Sequence, residues 1–320
     1  MNTEVNYLGL KLKNPFIAGS CGLTNNIDRI EEYNNAGVGA IVLKSVFEEQ
    51  INNEAEWLNS ISEYHPESSD YIQNYTMKYN LNNYLDLIKK SKSKCSVPII
   101  ASINCAELGT WTSFASKIEE AGADALEINF HTMQFNTESK SEDIELKYIK
   151  LAKKVKSEIN IPIAFKISNE FTNLPRLISF LGGCGVEGVV LFNSFYQPDI
   201  NLKTLELISA VPFSKKGDFL KELRWTAIVS SKVPTIDISA STGVHHSDDA
   251  VKLILSGAKT VQLCSVLYKH DFSIIEKFIS GLEAFMENKG YSSIEDFRGK
   301  LNYSSIEDPD KYERINFWKK

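Results

Sequence analysis

Two strand-opening signals alternate eight times along this chain without a miss, and few folds accept such a pattern. In one, a proline opens an apolar run: Asn14-Pro15-Phe16-Ile17-Ala18, Val97-Pro98-Ile99-Ile100-Ala101, Ile161-Pro162-Ile163-Ala164-Phe165 and Val233-Pro234-Thr235-Ile236-Asp237-Ile238. Proline is tolerated at the first residue of a strand, where its missing N–H costs little. In the other, a helical stretch stops at a glycine and an apolar run follows, at Gly37, Gly122, Gly185 and Gly257. Glycine there supplies the left-handed residue that ends a helix. Read in order, Pro15, Gly37, Pro98, Gly122, Pro162, Gly185, Pro234 and Gly257 mark eight strands. Short, nearly continuous apolar runs are how parallel strands covered on both faces read. The expectation is therefore an α/β fold, a closed (β/α)8 TIM barrel, with residues 1–320 forming a single domain. The competing architecture, an open doubly wound sheet, would show fewer strands and a Gly-rich turn after the first.

Three segments exceed what a minimal barrel needs. Before the first strand, Val5 to Leu12 alternates around Gly9 and predicts a small N-terminal hairpin under the barrel floor. Ser45 to Ser96 and Gln197 to Lys232 are longer than one crossover requires, and are expected as inserted loops over the C-terminal mouth, with Phe213 to Asp218 an exposed turn. The polar tail after Tyr291 is expected to pack outside.

Composition narrows the function classes. The 35 Lys+Arg against 41 Asp+Glu leave a net charge of −6, so no basic field exists to attract nucleic acid or anionic lipid. No run approaches the roughly 18 apolar residues of a membrane helix, and the start Met1-Asn2-Thr3-Glu4 lacks the pattern of a secretory signal. A cytoplasmic protein with neither nucleic-acid nor membrane partners is expected. The five cysteines are scattered, with no C-x-x-C pair, which indicates neither a disulfide framework nor a thiolate zinc site.

In such a barrel the active site lies where strands end. The ends here are polar: Gly19-Ser20-Cys21-Gly22, Lys44-Ser45, Ser102-Ile103-Asn104, Glu127-Ile128-Asn129, Lys166, Asn193-Ser194, Ser239 to Gly243, and Cys264-Ser265. Two lysines and three asparagines aimed at one mouth would each cost about a few kcal/mol to desolvate without partners. They point to an anionic, hydrogen-bonding ligand. The turns after the last two strands, Thr242-Gly243-Val244 and Cys264-Ser265, are where barrels commonly seat a phosphate on backbone N–H groups.

From Asn6 to about His270 these residues resemble the dihydroorotate dehydrogenase family of FMN barrels. The resemblance rests on Lys13-Asn14-Pro15 with the Ala18-to-Gly22 turn, Gly37 to Ser45, Ala121 to Asn129, Pro162 to Lys166, Gly188 to Ser194, and Thr242-Gly243-Val244 through to Gly257-Ala258. Ser45 to Ile51 and Phe195 to Asp199 look like a bacterial dihydroorotate dehydrogenase-like branch of it. The resemblance implies a flavoprotein oxidoreductase of pyrimidine biosynthesis, passing hydride from a small cyclic or carboxylated substrate, with dihydroorotate the named candidate, to FMN. It implies FMN on Ala18, Gly19, Ser20, Lys44, Ser45, Asn129 and Lys166, with the phosphate at Gly243, Val244, Cys264 and Ser265. Substrate would meet Lys44, Asn104, Asn129, Gln134, Asn193 and Ser194. Lys166 would also act in catalysis, opposing negative charge that develops on the flavin pyrimidine edge. A homodimer and a soluble electron acceptor such as fumarate are implied as well.

The chain departs from the pattern after the fourth strand. Where dihydroorotate-oxidising enzymes carry Cys or Ser as the base, followed by Pro-Asn, this sequence has Phe130-His131-Thr132-Met133-Gln134. Thr132 takes the place of the base, and His131 is the alternative base because imidazole titrates near neutral pH. Arg224, in the long segment before the seventh strand, reads either as a clamp for a substrate anion or, more commonly for such a residue, as a helix-face arginine. The alternatives are a flavin- or phosphate-binding barrel without dihydroorotate activity, and a phosphosugar isomerase or aldolase using Lys166.

Overall fold

The computed structural model describes residues 1–47, 69–105, 112–130, 136–194, 198–209 and 213–314. The first part of the loop expected after Ser45, and residues His131, Thr132 and Gln134, lie outside these. Strands β1 (Val5–Tyr7) and β2 (Leu10–Leu12) form an antiparallel hairpin. The barrel strands are β3 (Phe16–Ala18), β4 (Ala40–Val42), β6 (Ile99–Cys105), β7 (Ala125–Phe130), β8 (Ile163–Ile167), β9 (Gly188–Leu191), β12 (Asp237–Ser241) and β13 (Thr260–Leu263), while β5 (Val46–Phe47) adds a short pairing to β6. A second hairpin, β10 (Pro198–Asn201) with β11 (Glu206–Ser209), stands apart from them. Neighbouring barrel strands are all parallel, and the pairings β3–β4, β4–β6 and β13–β3 close the ring as eight strands. Each of the eight sequence signals opens one of them.

The proline and glycine signals work by different physics. Pro15, Pro98 and Pro162 bring no amide to the ladder but lend their carbonyls, which accept from Val261, Ile41 and Leu126 of the neighbouring strand at 2.8, 3.0 and 2.9 Å. The next amides are claimed by carboxylates at the barrel floor: Ile99 N–H donates to Asp124 (2.7 Å) and Ile163 N–H to Glu187 (2.9 Å). Lys92 and Lys156 pair with those carboxylates. Pro234 behaves differently, sitting in a turn so that its strand begins only at Asp237, whose amide donates to Glu187 O at 2.9 Å. Gly37, Gly122, Gly185 and Gly257 all adopt positive φ, from 87° to 117°, as helix-ending residues should. Helices run from Ile27–Ala36 to Ser273–Lys289 around the outside. In Leu174–Gly183, Leu174, Leu177, Ile178 and Leu181 are fully buried, the i, i+3, i+4, i+7 stripe of a helix laid on a sheet.

The N-terminal hairpin closes the floor as its sequence predicts. Leu8 and Gly9 make a two-residue turn, both at positive φ. Leu8 N–H donates to Asp237 at 2.8 Å, and Tyr7 and Leu8 are buried beneath the strands. A Cβ on Gly188 would lie 2.5 Å from Leu8 Cδ2, so glycine there lets Leu8 seat closely under the strands. Where the segment from Gln197 to Lys232 was expected as a loop, its described residues 198–209 and 213–232 hold the β10–β11 hairpin and then the helix Phe219–Lys232. The tail packs outside the helix layer, as expected, but is anchored by fully buried Ile294 and Phe297. Gly299 and Leu301 donate amides to Ile254 and Leu255 of the helix beneath. Among the described residues no helix is long and apolar enough to cross a membrane.

One buried acid in this frame makes stability depend on pH. Glu222, on the helix Phe219–Lys232, is 4% exposed, and its Oε2 has no hydrogen-bond partner among the described residues. Burial pushes its carboxyl up from the ordinary 4.5 to about 7. The folded chain thus holds a proton that the unfolded chain gives up, so the contribution is complete below the ordinary value and is lost as pH rises through about 7. Linkage sets the loss on the order of 3 kcal/mol. Urea unfolding at pH 5 and pH 8 should show wild type losing stability between the two, and Glu222→Gln losing much less.

Candidate functional site

Lys44 follows β4 and Lys166 lies in β8, so both ammonium-bearing residues are at the C-terminal rim of the barrel, the end opposite the hairpin floor. A cavity of about 400 Å³ opens there. Ser20, Lys166, Asn193, Ser194, Gly243, Val244, Cys264 and Ser265, all expected at the site, line it. Lys44 and Ser45 line a neighbouring cavity of about 500 Å³ with Asn25, Asn26, Asp86 and Lys90, and the Lys44 ammonium sits 5.7 Å from the centre of the Phe47 ring. The two cavities share a wall of hydroxyls. Ser45 N–H donates to Ser20 Oγ at 3.0 Å, and the Ser45 hydroxyl lies 3.1 Å from Ser20 Oγ and 2.8 Å from Ser102 Oγ.

The barrel register sets the polar floor of the site. Asn104, Asn129 and Lys166 are cross-strand neighbours on β6, β7 and β8 and so project to the same side of the sheet. Asn193 Nδ2 donates to Asn129 Oδ1 at 2.9 Å, joining β7 to the end of β9. Lys166 is 6% exposed; its Nζ donates to Gln262 Oε1 at 3.3 Å and stands 3.8 Å from Glu127 Oε1. Gln262 Nε2 in turn donates to Glu127 Oε2 at 2.6 Å. Glu127 and Gln262 were not among the expected site residues. Their signal was nonetheless present, as one charged and one amide side chain inside otherwise apolar strand runs.

Glycines shape the phosphate end, partly for the chain's own sake. Gly243 has φ 78°, and a Cβ there would lie 2.2 Å from Phe219 N and 2.7 Å from the Asp218 carbonyl carbon. The turn is thus a glycine because the start of the helix Phe219–Lys232 packs on it, whatever ligand it meets. Thr242, also at positive φ, is held by its hydroxyl donating to Phe192 O at 3.0 Å. A Cβ on Gly19 would lie 2.5 Å from Cys264 Sγ. Burial pushes the Cys264 thiol up to about 12, so it packs there as a neutral thiol rather than a nucleophile. Ala18, just before, is fully buried.

A strap that the sequence suggested only as an exposed turn borders this end. Phe213 stacks at an angle on Tyr268, with ring centres 5.1 Å apart. Ser214 N–H donates to Ser265 Oγ at 3.1 Å, and Ser214 O receives Lys269 Nζ and lies by His245 Nε2, each at 3.0 Å. Burial and the neighbouring Lys269 lower the His245 imidazole. Arg224 is not at the mouth. It lies exposed on its helix and donates to Arg314 O of the C-terminal tail at 3.3 Å.

The donor chemistry fits FMN. One buried ammonium, the amides of Asn193 and Gln262, the hydroxyls of Ser20, Ser194, Thr242 and Ser265 and the turn at Gly243-Val244 surround a single cavity. Such a set suits a dianionic phosphate at one end and a ring rich in carbonyl and nitrogen acceptors at the other.

The comparisons with known proteins agree with this chemistry. The family model described as dihydroorotate dehydrogenase matches residues 2–286. The dihydroorotate dehydrogenase B (NAD(+)) catalytic subunit of Thermoplasma acidophilum is 25% identical over 293 residues, 89% of this chain and 94% of the relative. Its namesake from Caldicellulosiruptor bescii is 26% identical, covering 92% and 97%. The NAD-dependent dihydropyrimidine dehydrogenase subunit PreA of Escherichia coli is 23% identical, covering 91% and 74%. This chain belongs to the dihydroorotate dehydrogenase family and is an FMN-dependent oxidoreductase of that type.

Proposed function

We propose that the chain oxidises a small cyclic carboxylated substrate, with dihydroorotate the candidate, at the C-terminal mouth. The observation that carries this reading is Lys166, a buried ammonium held at the base of a donor-lined cavity. FMN, when bound, accepts the hydride that leaves the substrate. Lys166, buried at the base of the cavity, would oppose negative charge on the bound ring. Ser20, with Ala18 and Gly19 behind it, supports the ring; Gly243, Val244, Cys264 and Ser265 hold the phosphate. Asn129, fixed by Asn193, and Asn104 beside it orient the substrate, with Ser194, Gln134 and Lys44. Lys44 and Ser45 line the neighbouring cavity, and Ser45 meets Ser20 at the serine wall between the two. The substrate proton goes to Thr132, in the place of the family's base, or to His131.

The acceptor of the electrons would be soluble. The relatives named as NAD(+) catalytic subunits favour a nicotinamide acceptor, reached through a partner subunit, over fumarate. The chain itself is proposed to be cytoplasmic and homodimeric. The β10–β11 hairpin supports the dimer: a lone two-stranded ribbon is marginal in water, yet this one exposes Leu202, Leu205 and Leu207 by 75% or more. A second copy is the proposed cover.

The purified chain should be yellow or become so with FMN. Lys166→Ala should release FMN more readily and slow its reduction by dihydroorotate roughly 10- to 1,000-fold, measured by flavin fluorescence and stopped-flow absorbance. Thr132→Ala and His131→Ala should separate the two bases, with the true base losing about 100-fold or more in reduction rate; unchanged rates in both variants would remove this part of the mechanism. Light scattering should give twice the chain mass for wild type, and the monomer mass for Leu205→Lys/Leu207→Lys.

A further inference from the structure

Lys166 is not the deepest charge at the mouth. Glu127, one inward position below Asn129 on β7, is 1% exposed, and its Oε1 has no hydrogen-bond partner among the described residues. Its other oxygen accepts from Gln262 Nε2 at 2.6 Å, which obliges the Gln262 amide to turn its carbonyl oxygen toward Lys166. The unpartnered Oε1 stands 3.8 Å from the Lys166 ammonium, beyond a good hydrogen bond but well within ion-pair range. The three side chains come from three different strands, β7, β8 and β13, and meet inside the barrel. Of the three, Glu127 does not line the cavity, whereas Lys166 and Gln262 do. A carboxylate that meets no ligand is nevertheless retained in the driest part of the molecule, where an unpaired charge is costly.

We infer that Glu127 is a positioning residue that sets the effective charge Lys166 presents to FMN, both directly and by orienting Gln262. This rests on the reading above that Lys166 faces the flavin ring. With Glu127 ionised, the pair is close to neutral and the ammonium is held in one place. Without that carboxylate an uncompensated cation faces the flavin and favours its electron-rich, reduced form. Substitution of Glu127 therefore acts on the flavin more strongly when Lys166 is present than when it is not.

The test is a cycle of Glu127→Gln, Lys166→Met and the double variant, each loaded with FMN, with the midpoint potential read by dye equilibration. Glu127→Gln should shift the potential to more positive values, and Glu127→Asp should return it toward wild type. The same Glu127→Gln change made in Lys166→Met should give a clearly smaller shift. An unchanged or more negative potential in Glu127→Gln, or an equal shift in both backgrounds, would overturn the inference. If Glu127→Gln fails to fold or to keep FMN, thermal melting of the flavin-free proteins decides: the double variant should melt above the single one, since the orphaned cation is gone, and a double variant that melts no higher counts against the coupling. Wild type that binds no FMN at all defeats the proposed function itself. FMN binding with a potential that responds to Lys166→Met but not to Glu127→Gln defeats the role of Glu127 alone.

Discussion

Closing a parallel ladder on itself places every inward side chain in a space that water reaches only from an open end. In this barrel the hairpin carrying Tyr7 and Leu8 blocks the floor, so a polar group on an inward position must find a partner inside or look upward. Lys166 does both. Its ammonium is held by Gln262 and Glu127 from beneath while the residue lines the cavity above. An isolated buried ion would cost several kcal/mol, which is why this one arrives with a carboxylate and an amide already arranged around it. The position of the site follows from that arrangement, because the mouth is where the buried cation has room for a further partner.

The rest of the mouth is tied to the same frame by short polar links. Asn193 reaches from the end of β9 to Asn129 on β7, and the serine chain from Ser20 through Ser45 to Ser102 connects β3 to β6. Tyr84, on the helix Ser69–Lys94, receives the Ser102 amide at 2.7 Å and donates to its carbonyl at 3.1 Å, so a helix outside the barrel is bound to the same wall. At the phosphate end, Gly19 and Gly243 are required by close approach to Cys264 and to the start of the helix Phe219–Lys232. A rigid cradle results without any ligand contact having to supply the rigidity.

Much of this was legible along the chain. The alternation of proline and glycine marks located all eight strands, because each mark answers a local need: a strand opening that lacks an amide, or a helix end that needs positive φ. Polar strand ends then named most of the cavity lining, including Lys166, Asn193, Ser194, Gly243 and Ser265. The β10–β11 hairpin was not legible, since Asp199, Asn201 and Glu206 interrupt its apolar residues and its turn is closed by Leu205 at positive φ rather than by glycine. Between an anion clamp and a helix-face arginine, Arg224 stayed open along the chain, because only the position of its helix shows that it meets the tail.

The sequence by itself determined the barrel, its helix-and-strand order and the end at which polar groups gather, for these depend on neighbours a few residues apart. Tertiary structure alone decided which of those groups meet. Glu127, Lys166 and Gln262 are far apart in the chain and become one charge-balanced unit only through the strand register. Lys44 and Lys166 share a rim yet open onto different cavities, because the serine wall runs between them.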